Sequence, residues 1–368
     1  MTPHRLFSAI NFTDLSMPEL LNKPIHSARI QFLKFIVVQL LLGSATVFAA
    51  SAPVAEDVIA LLALKQEQII RLDQGKIVAF EIEEATQKEL AIGLVMYLPS
   101  SPAKIAAFFK QGDLALVDPD ISTHGEIKPG STIETFKGFF FTPEQRNEVQ
   151  NLLAAEAGDQ FNLAAEEINS FAALKKKLTG ANETDQITGV SQHYRQILFQ
   201  RWQAYQKRGL AGIAPYVRAT ASANPADELR SAATSSRLLA LLPSNLQQAW
   251  LKYPTQLPPA TEERFFWLNR QVEDRPTAIL SHRIQQTNDN SSVILARQFF
   301  VGHSYNSSHL IIGCLPYRNG SIVFYAHRTS TDQVAGLGSS LKRSIGREQM
   351  KKQMIKNLKQ LRSEIQSF

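Results

Sequence analysis

The sequence predicts an α+β fold in which an antiparallel sheet is closed by a long C-terminal helix, with a helical insertion ahead of it. Three observations carry this. Five strand-like runs follow one another at residues 264–272, 277–285, 292–305, 309–317 and 321–329, each rich in Val, Ile, Phe, Trp, Tyr or Thr, with turn residues between most of them. A helical pattern then starts near Gly338 and reaches about Ser363. Its apolar residues Leu341, Ile345, Met350, Met354, Leu358, Leu361 and Ile365 recur at three-, four- and five-residue steps, largely on one face. Ahead of the strands, residues 142–259 read as helical, between two parts that contain strands.

With 368 residues the chain is long enough for two domains or for one with a large insertion. At 44% hydrophobic and 20% charged residues it has ample apolar surface for a core. The formal charge is +6, and setting aside residues 1–52, with four basic and two acidic side chains, leaves +4. That excess is too small to argue for a nucleic-acid partner. Cys314 is the single cysteine, which excludes an intramolecular disulfide and a cysteine-based metal cluster.

The N-terminus has the layout of a secretory leader. Arg29 and Lys34 precede an uncharged run at 35–55, and small residues follow in Val47-Phe48-Ala49 and Ala50-Ser51-Ala52. Cleavage is expected after Ala49 or Ala52, with Met17 as an alternative start. An uncleaved anchor is the other reading, since 21 uncharged residues just span a bilayer. Either way the basic flank places the body outside the cytoplasm, in the periplasm or envelope of a bacterium. No cysteine follows the apolar run, which excludes a lipid-anchored lipoprotein.

Residues 53–141 form the first part of the α+β domain. A helix is expected over about 54–72 with Gly75 after it, then strands at 76–83 and 90–98. Pro99-Ser100-Ser101-Pro102 forces a turn, and Ser100 or Ser101 caps a helix that Pro102 opens. Short strands are expected around 133–141, where Phe139-Phe140-Phe141 reads as core. Thr142-Pro143-Glu144 starts the insertion, in which Tyr194, Leu198, Trp202 and Tyr205 mark a buried helix face. Residues 219–227 read as a link, and the proline-rich 254–259 leads into the last part, 260–368.

The order of strand 90–98, Pro-Ser-Ser-Pro, the helix around 104–109, the later strands and the final helix resembles the helix-grip domains of the START/Bet v 1-like superfamily. That resemblance covers about 210 residues, interrupted by the insertion. It implies a long antiparallel sheet and a final helix closing over a hydrophobic cavity. The segments 208–216 and Leu341-Lys342-Arg343 are also similar to exported bacterial proteins; this implies a shared fold and lends no activity.

Chemistry-bearing residues are sparse. His282, His303, His309 and His327 lie in or beside the late strands, and alternation places His303 and Tyr305 on one face, so that two or three imidazoles converge at one end of the sheet. No metal-ligand spacing such as H-E-x-x-H accompanies them, so no metal and no cofactor is expected. Ser304, Ser307 and Ser308 lack a G-x-S-x-G elbow, and no catalytic residue is assigned. Glu83-Glu84 and Glu262-Glu263 read as solvated pairs, and Gly336-x-Gly338 as a helix start rather than a phosphate loop. On the final helix Lys342, Arg343, Arg347, Lys351, Lys352, Lys356, Lys359 and Arg362 face only Glu348 and Glu364. Such a run is a solvated face or a contact for anionic headgroups through Lys351, Lys352 and Lys356. The expected function is non-catalytic, exported binding of a hydrophobic small molecule or lipid, with His303, Tyr305 and Tyr325 as polar ligand contacts. The alternatives are a hydrolase at the Ser/His-rich end of the sheet and a structural envelope protein without ligand.

Overall fold

Eight antiparallel strands form one sheet, in the order β1-β2-β10-β9-β8-β7-β6-β3. The strands are β1 (Val78–Phe80), β2 (Glu89–Leu98), β3 (Ile121–Ile127), β6 (Thr261–Val272), β7 (Arg275–Thr287), β8 (Ser292–Val301), β9 (Ser307–Tyr317) and β10 (Gly320–Ser330). The computed structural model describes residues 54–368 except 112, 113, 289 and 337, and except the side chains of 114 and 115. The expected leader, 1–52, lies outside the described residues. Strands β6 to β10 are successive neighbours, and β2 pairs with β10 along its whole length, from Glu89 opposite Ser330 to Leu98 opposite Ser321. Glu273 and Asp274, with φ of 51° and 59°, make the two-residue β6–β7 connection, whose twist matches that of paired strands.

Each face of the sheet is covered differently. One face carries the helical layer: α5 (Arg146–Leu153), α6 (Ala165–Lys177), α7 (Glu183–Arg208), α8 (Pro225–Thr234), α9 (Arg237–Ala240) and α10 (Ser244–Leu251). The first helices, α1 (Ala55–Leu61) and α2 (Gln66–Asp73), pack in the same apolar cluster as Trp250, Ile311 and Phe324. Helix α7 organises the layer. The Asn182 side chain caps it by accepting from the Asp185 amide at 2.9 Å, and Val190, Tyr194, Ile197, Leu198, Trp202 and Tyr205 form its buried stripe. It ends at Gly209, φ 56°, where a Cβ would lie 1.8 Å from the Tyr253 carbonyl oxygen. Arg218 ties the layer to the sheet, donating to Asn162 Oδ1 (2.7 Å), Asn306 Oδ1 (2.9 Å) and Asp332 (2.9 Å).

The opposite face carries α3 (Pro102–Gln111), α4 (Leu114–Val117) and the C-terminal helix α11 (Ser339–Ser367). Ser101 caps α3, its Oγ accepting from the Lys104 amide at 3.2 Å. Helix α11 begins after Gly338, φ 73°. It docks through its last third: Leu358, Leu361 and Ile365 are buried with Leu94, Met96, Leu98, Ile105 and Phe108. Farther back, a Cβ on Gly346 would meet Leu90 at 2.8 Å. Arg343 and Arg347 pair with the buried carboxylate of Glu84, and Lys356 with Asp120 (3.1 Å).

The α+β class, the antiparallel sheet and the long final helix are present as expected, and the chain between β3 and β6 is largely helical. Several local expectations are not. Residues 54–72 are two helices, broken where Ala63 takes φ 50°. The run 133–141 holds a 3₁₀ turn (Ile133–Phe136) instead of strands, because Phe136, Phe139 and Phe141 turn into the core from an irregular chain. The 219–227 link contains a small hairpin, β4 (Tyr216–Val217) with β5 (Ser222–Ala223), and the first turn of α8. The apolar stripe of α11 is not buried throughout: Leu341 is 67% and Ile345 50% exposed, and the buried side chains of the helix, Leu358, Leu361 and Ile365, all lie in its last third. No helix among the described residues is long and apolar enough to cross a membrane.

Candidate functional site: a groove between the sheet and the C-terminal helix

Strand register fixes which side chains share the face beneath α11. One row across the strands is Leu94, Tyr325, Ile312, Ile294 and Gln285. The next is Ile92, His327, Leu310, Ala296 and Arg283, and the third is Leu90, Thr329, Ser308, Gln298, Ser281 and Phe266. The first row is filled, forming one apolar cluster with α3 and the end of α11. Beyond the third row a separate apolar cluster, Phe266, Leu268, Ile279 and Val301, occupies the far end of the same face.

Between the two clusters the floor is partly accessible at Ser281, Ala296, Gln298, Leu310, His327 and Thr329. Their strand neighbours His282, Arg297, His309, Ile311 and Arg328 point to the helical layer and are buried, so the accessible area lies on the α11 side. From His327 on β10 to Ser281 on β7 the floor spans three inter-strand steps, about 14 Å. Phe109 of α3, Val117 of α4, and Met354 and Ile355 of α11 are partly buried against the adjoining cluster and form apolar walls.

The groove is sheltered as well as accessible. Burial, with the Arg270 charge adding to it, holds the His327 imidazole down at about 4; burial pushes the Tyr305 phenol up to about 12. Apart from Arg283, whose Nε has no acceptor among the described residues, polar groups on the floor pair with one another. Tyr305 donates to Gln298 Oε1 at 2.7 Å, and Ser308 Oγ lies 2.6 Å from His327 Nε2. Arg270 and Asp118 pair at 2.8 Å at the border.

The expected polar ligand contacts are not brought together. Tyr305 borders the groove, but it follows the end of β8 instead of alternating within the strand. Tyr325 lies on the filled row, 7% exposed, and its hydroxyl has no hydrogen-bond partner among the described residues. His303 sits at the end of the sheet, bonded to Thr277 (2.8 Å) and Ser304 (2.8 Å) and near Glu148 of α5, with no partner on the groove floor. The imidazoles converge only in part, because the histidines divide between the faces. His282 and His309 lie in the helical layer around Trp250, whose indole donates to His309 at 2.9 Å, while His327 faces α11. Glu263 Oε1 lies 3.0 Å from His282 Nε2 but off the direction of a good hydrogen bond. Among the described residues no group of three metal-ligating side chains forms a cation site.

The Ser308–His327 pair has the reach of a nucleophile and base but not the chemistry. A base works best with its pKa near the operating pH, and this imidazole is held at about 4. The charge bearing on it is that of Arg270, which disfavours the imidazolium that a triad carboxylate would stabilise. Of the three lysines expected at a membrane, Lys352 is exposed, Lys351 pairs with Glu348 at 3.6 Å, and Lys356 is engaged by Asp120. An open depression of about 580 Å³ beside Trp267, His124 and Lys137 lies at the β3 edge, away from the groove.

Sequence reasoning missed Ser281, Arg283, Ala296, Gln298 and Leu310, and raised Ser308 only as a nucleophile candidate. The signal was present in β7, where every second residue of Ser281, Arg283, Gln285 and Thr287 is polar on a strand buried on both sides. Compared with protein-family models, curated proteins and solved structures, the chain matches none of them.

Proposed function

We propose that the protein is an exported, non-catalytic binding protein that holds a hydrophobic small molecule or lipid between its sheet and C-terminal helix. The observation that carries this is the division of one sheet face into two apolar clusters with a sheltered, partly accessible gap between them. Apolar area leaving water on binding contributes roughly 25 cal/mol per Å², and Tyr305, Gln298, Ser308 and His327 orient the occupant. The element order from β2 onward supports a helix-grip likeness: β2 paired to the last strand, two short helices, a far-edge strand, five sequential antiparallel strands and a closing helix, with β1 added at the edge outside β2. In this reading the helical layer is an addition to the face that such a sheet leaves open. The exposed start of α11, with Leu341, Ile345, Lys342 and Lys352, suits contact with an anionic membrane surface from which such a ligand is collected.

The test is organic extraction of protein purified from its native host, followed by mass spectrometry against a mock purification. A stoichiometric hydrophobic compound is expected. An extract without one, from protein that also takes up no apolar probe, would refute the reading.

A further inference from the structure

Arg283 is the unusual member of the groove. It lies on the floor row beside Ala296 and is 8% exposed. Other shielded arginines have carboxylate partners: Arg201 with Glu167 (2.5 Å), Arg328 with Glu89 (2.9 Å) and Arg270 with Asp118 (2.8 Å). Arg297 lacks one, but its guanidinium stacks 3.6 Å from the Trp250 ring centroid in the helical layer. Arg283 has no carboxylate partner among the described residues, and the Phe109 ring lies over it at a looser 5.9 Å from guanidinium carbon to ring centroid. One terminal nitrogen donates to two neutral acceptors, the Phe109 carbonyl (2.5 Å) and Gln285 Oε1 (2.6 Å), and Nε has no acceptor. Glu262, whose charge bears on it, is engaged by Lys110.

A buried guanidinium without a counter-ion is costly, and an anion arriving in the groove would relieve that cost. The accessible floor reaches Arg283 through its neighbours Ser281 and Ala296. Away from Arg283 the groove passes Ala296 and Leu310, with Met354 as a wall, before it reaches His327 and Ile92. Because Nε is closed over, the side chain must shift as the anion enters.

Resting on the proposed function, we infer that the occupant is an amphipath with an anionic head, carboxylate or phosphate, at Arg283, and its tail along Ala296 and Leu310 toward α11. A charge-assisted hydrogen bond to a buried guanidinium is among the stronger single contacts.

The experiment compares tetradecanoate, tetradecanol and a lysophosphatidate of equal chain length on the full protein by calorimetry. The acid is expected to bind the wild type at least about tenfold more tightly than the alcohol. Arg283→Met should abolish that preference while alcohol binding persists, and should melt at or above the wild-type temperature, since it removes an unpaired buried charge. Arg283→Lys should keep the preference. Tighter binding of the lysophosphatidate would assign the anion to a phospholipid, and tighter binding of tetradecanoate to a free fatty acid. Equal affinity for acid and alcohol in the wild type would overturn the inference and leave the groove standing. So would an acid preference that survives Arg283→Met or is lost equally in Arg283→Lys. Failure of all three probes to bind would overturn the groove itself.

Discussion

Truncating Leu361 to Ala should unseat the C-terminal helix, whereas truncating Ile345 on the same helix should do little. Leu361 is fully buried between Leu358 and Ile365 in the cluster that also holds Met96, Phe108 and Tyr325. Removing its side chain leaves a cavity in a close-packed region, at a cost of about 2–5 kcal/mol. Ile345 is 50% exposed. A full isoleucine burial contributes roughly 1.5–3 kcal/mol, so half of it is about 1 kcal/mol. The better helix propensity of Ala offsets about 0.4 kcal/mol of that loss. In urea, with a slope near the upper end of about 1–3 kcal/mol per M, Leu361→Ala should lower the midpoint by about 1 M. Ile345→Ala should shift it by less than about a quarter of that. Equal small shifts would mean that the helix is not docked as described, and the groove would lose its wall.

Other consequences are testable in the same protein. Arg328 and Glu89 form a pair that is 4% and 3% exposed; Arg328→Ala should cost about 3–5 kcal/mol, and Arg328→Met with Glu89→Leu should recover most of it in the same melts. Burial holds His282 and His303 at about 4 and His309 at about 3, so between pH 6.5 and about 4 the unfolded chain binds more protons than the native one. That stability is fully present above pH 6.5 and is lost as pH falls through the window, while Glu148 and Glu228, pushed up by burial, oppose the trend. Urea midpoints that stay flat from pH 7 to 5, or a slope unchanged by His309→Asn, would contradict this. Lys351→Glu with Lys352→Glu should leave the melt unchanged and reduce co-sedimentation with anionic vesicles, and an unchanged pellet would argue against membrane contact. Protein from the native host should begin at Ala50 or Pro53, and an intact N-terminus on soluble cytoplasmic protein would contradict export.

Strands β2 and β6 to β10 were legible because each is long, β-rich and bounded by turns, while β3 was not anticipated; the helical stripe of α7 was legible at Tyr194, Leu198, Trp202 and Tyr205. The groove was not. It depends on which residues of five strands fall on one row, and a bulge between Leu280 and Ser281 shifts that register in a way no single strand announces. Arg283 looks like any strand arginine until its lack of a carboxylate partner is seen. The α11 stripe misled in the other direction: periodicity reports which residues share a face, not how far along its length the helix touches the sheet. The histidines were misjudged because nearness in sequence says nothing about which side of a strand each imidazole takes.

The most direct test of the groove is to fill it. Ala296 lies at its centre, on the row between Leu310 and Arg283, and is partly accessible from the α11 side. Ala296→Trp should place an indole in the gap, and a fluorescent long-chain alcohol titrated against wild type and variant then reads the occupancy. The wild type should bind the probe and the variant should lose at least about tenfold in affinity, about 1.4 kcal/mol, while its urea midpoint stays near the wild-type value. Undiminished probe binding by a folded Ala296→Trp protein would contradict the assignment of this groove as the ligand site.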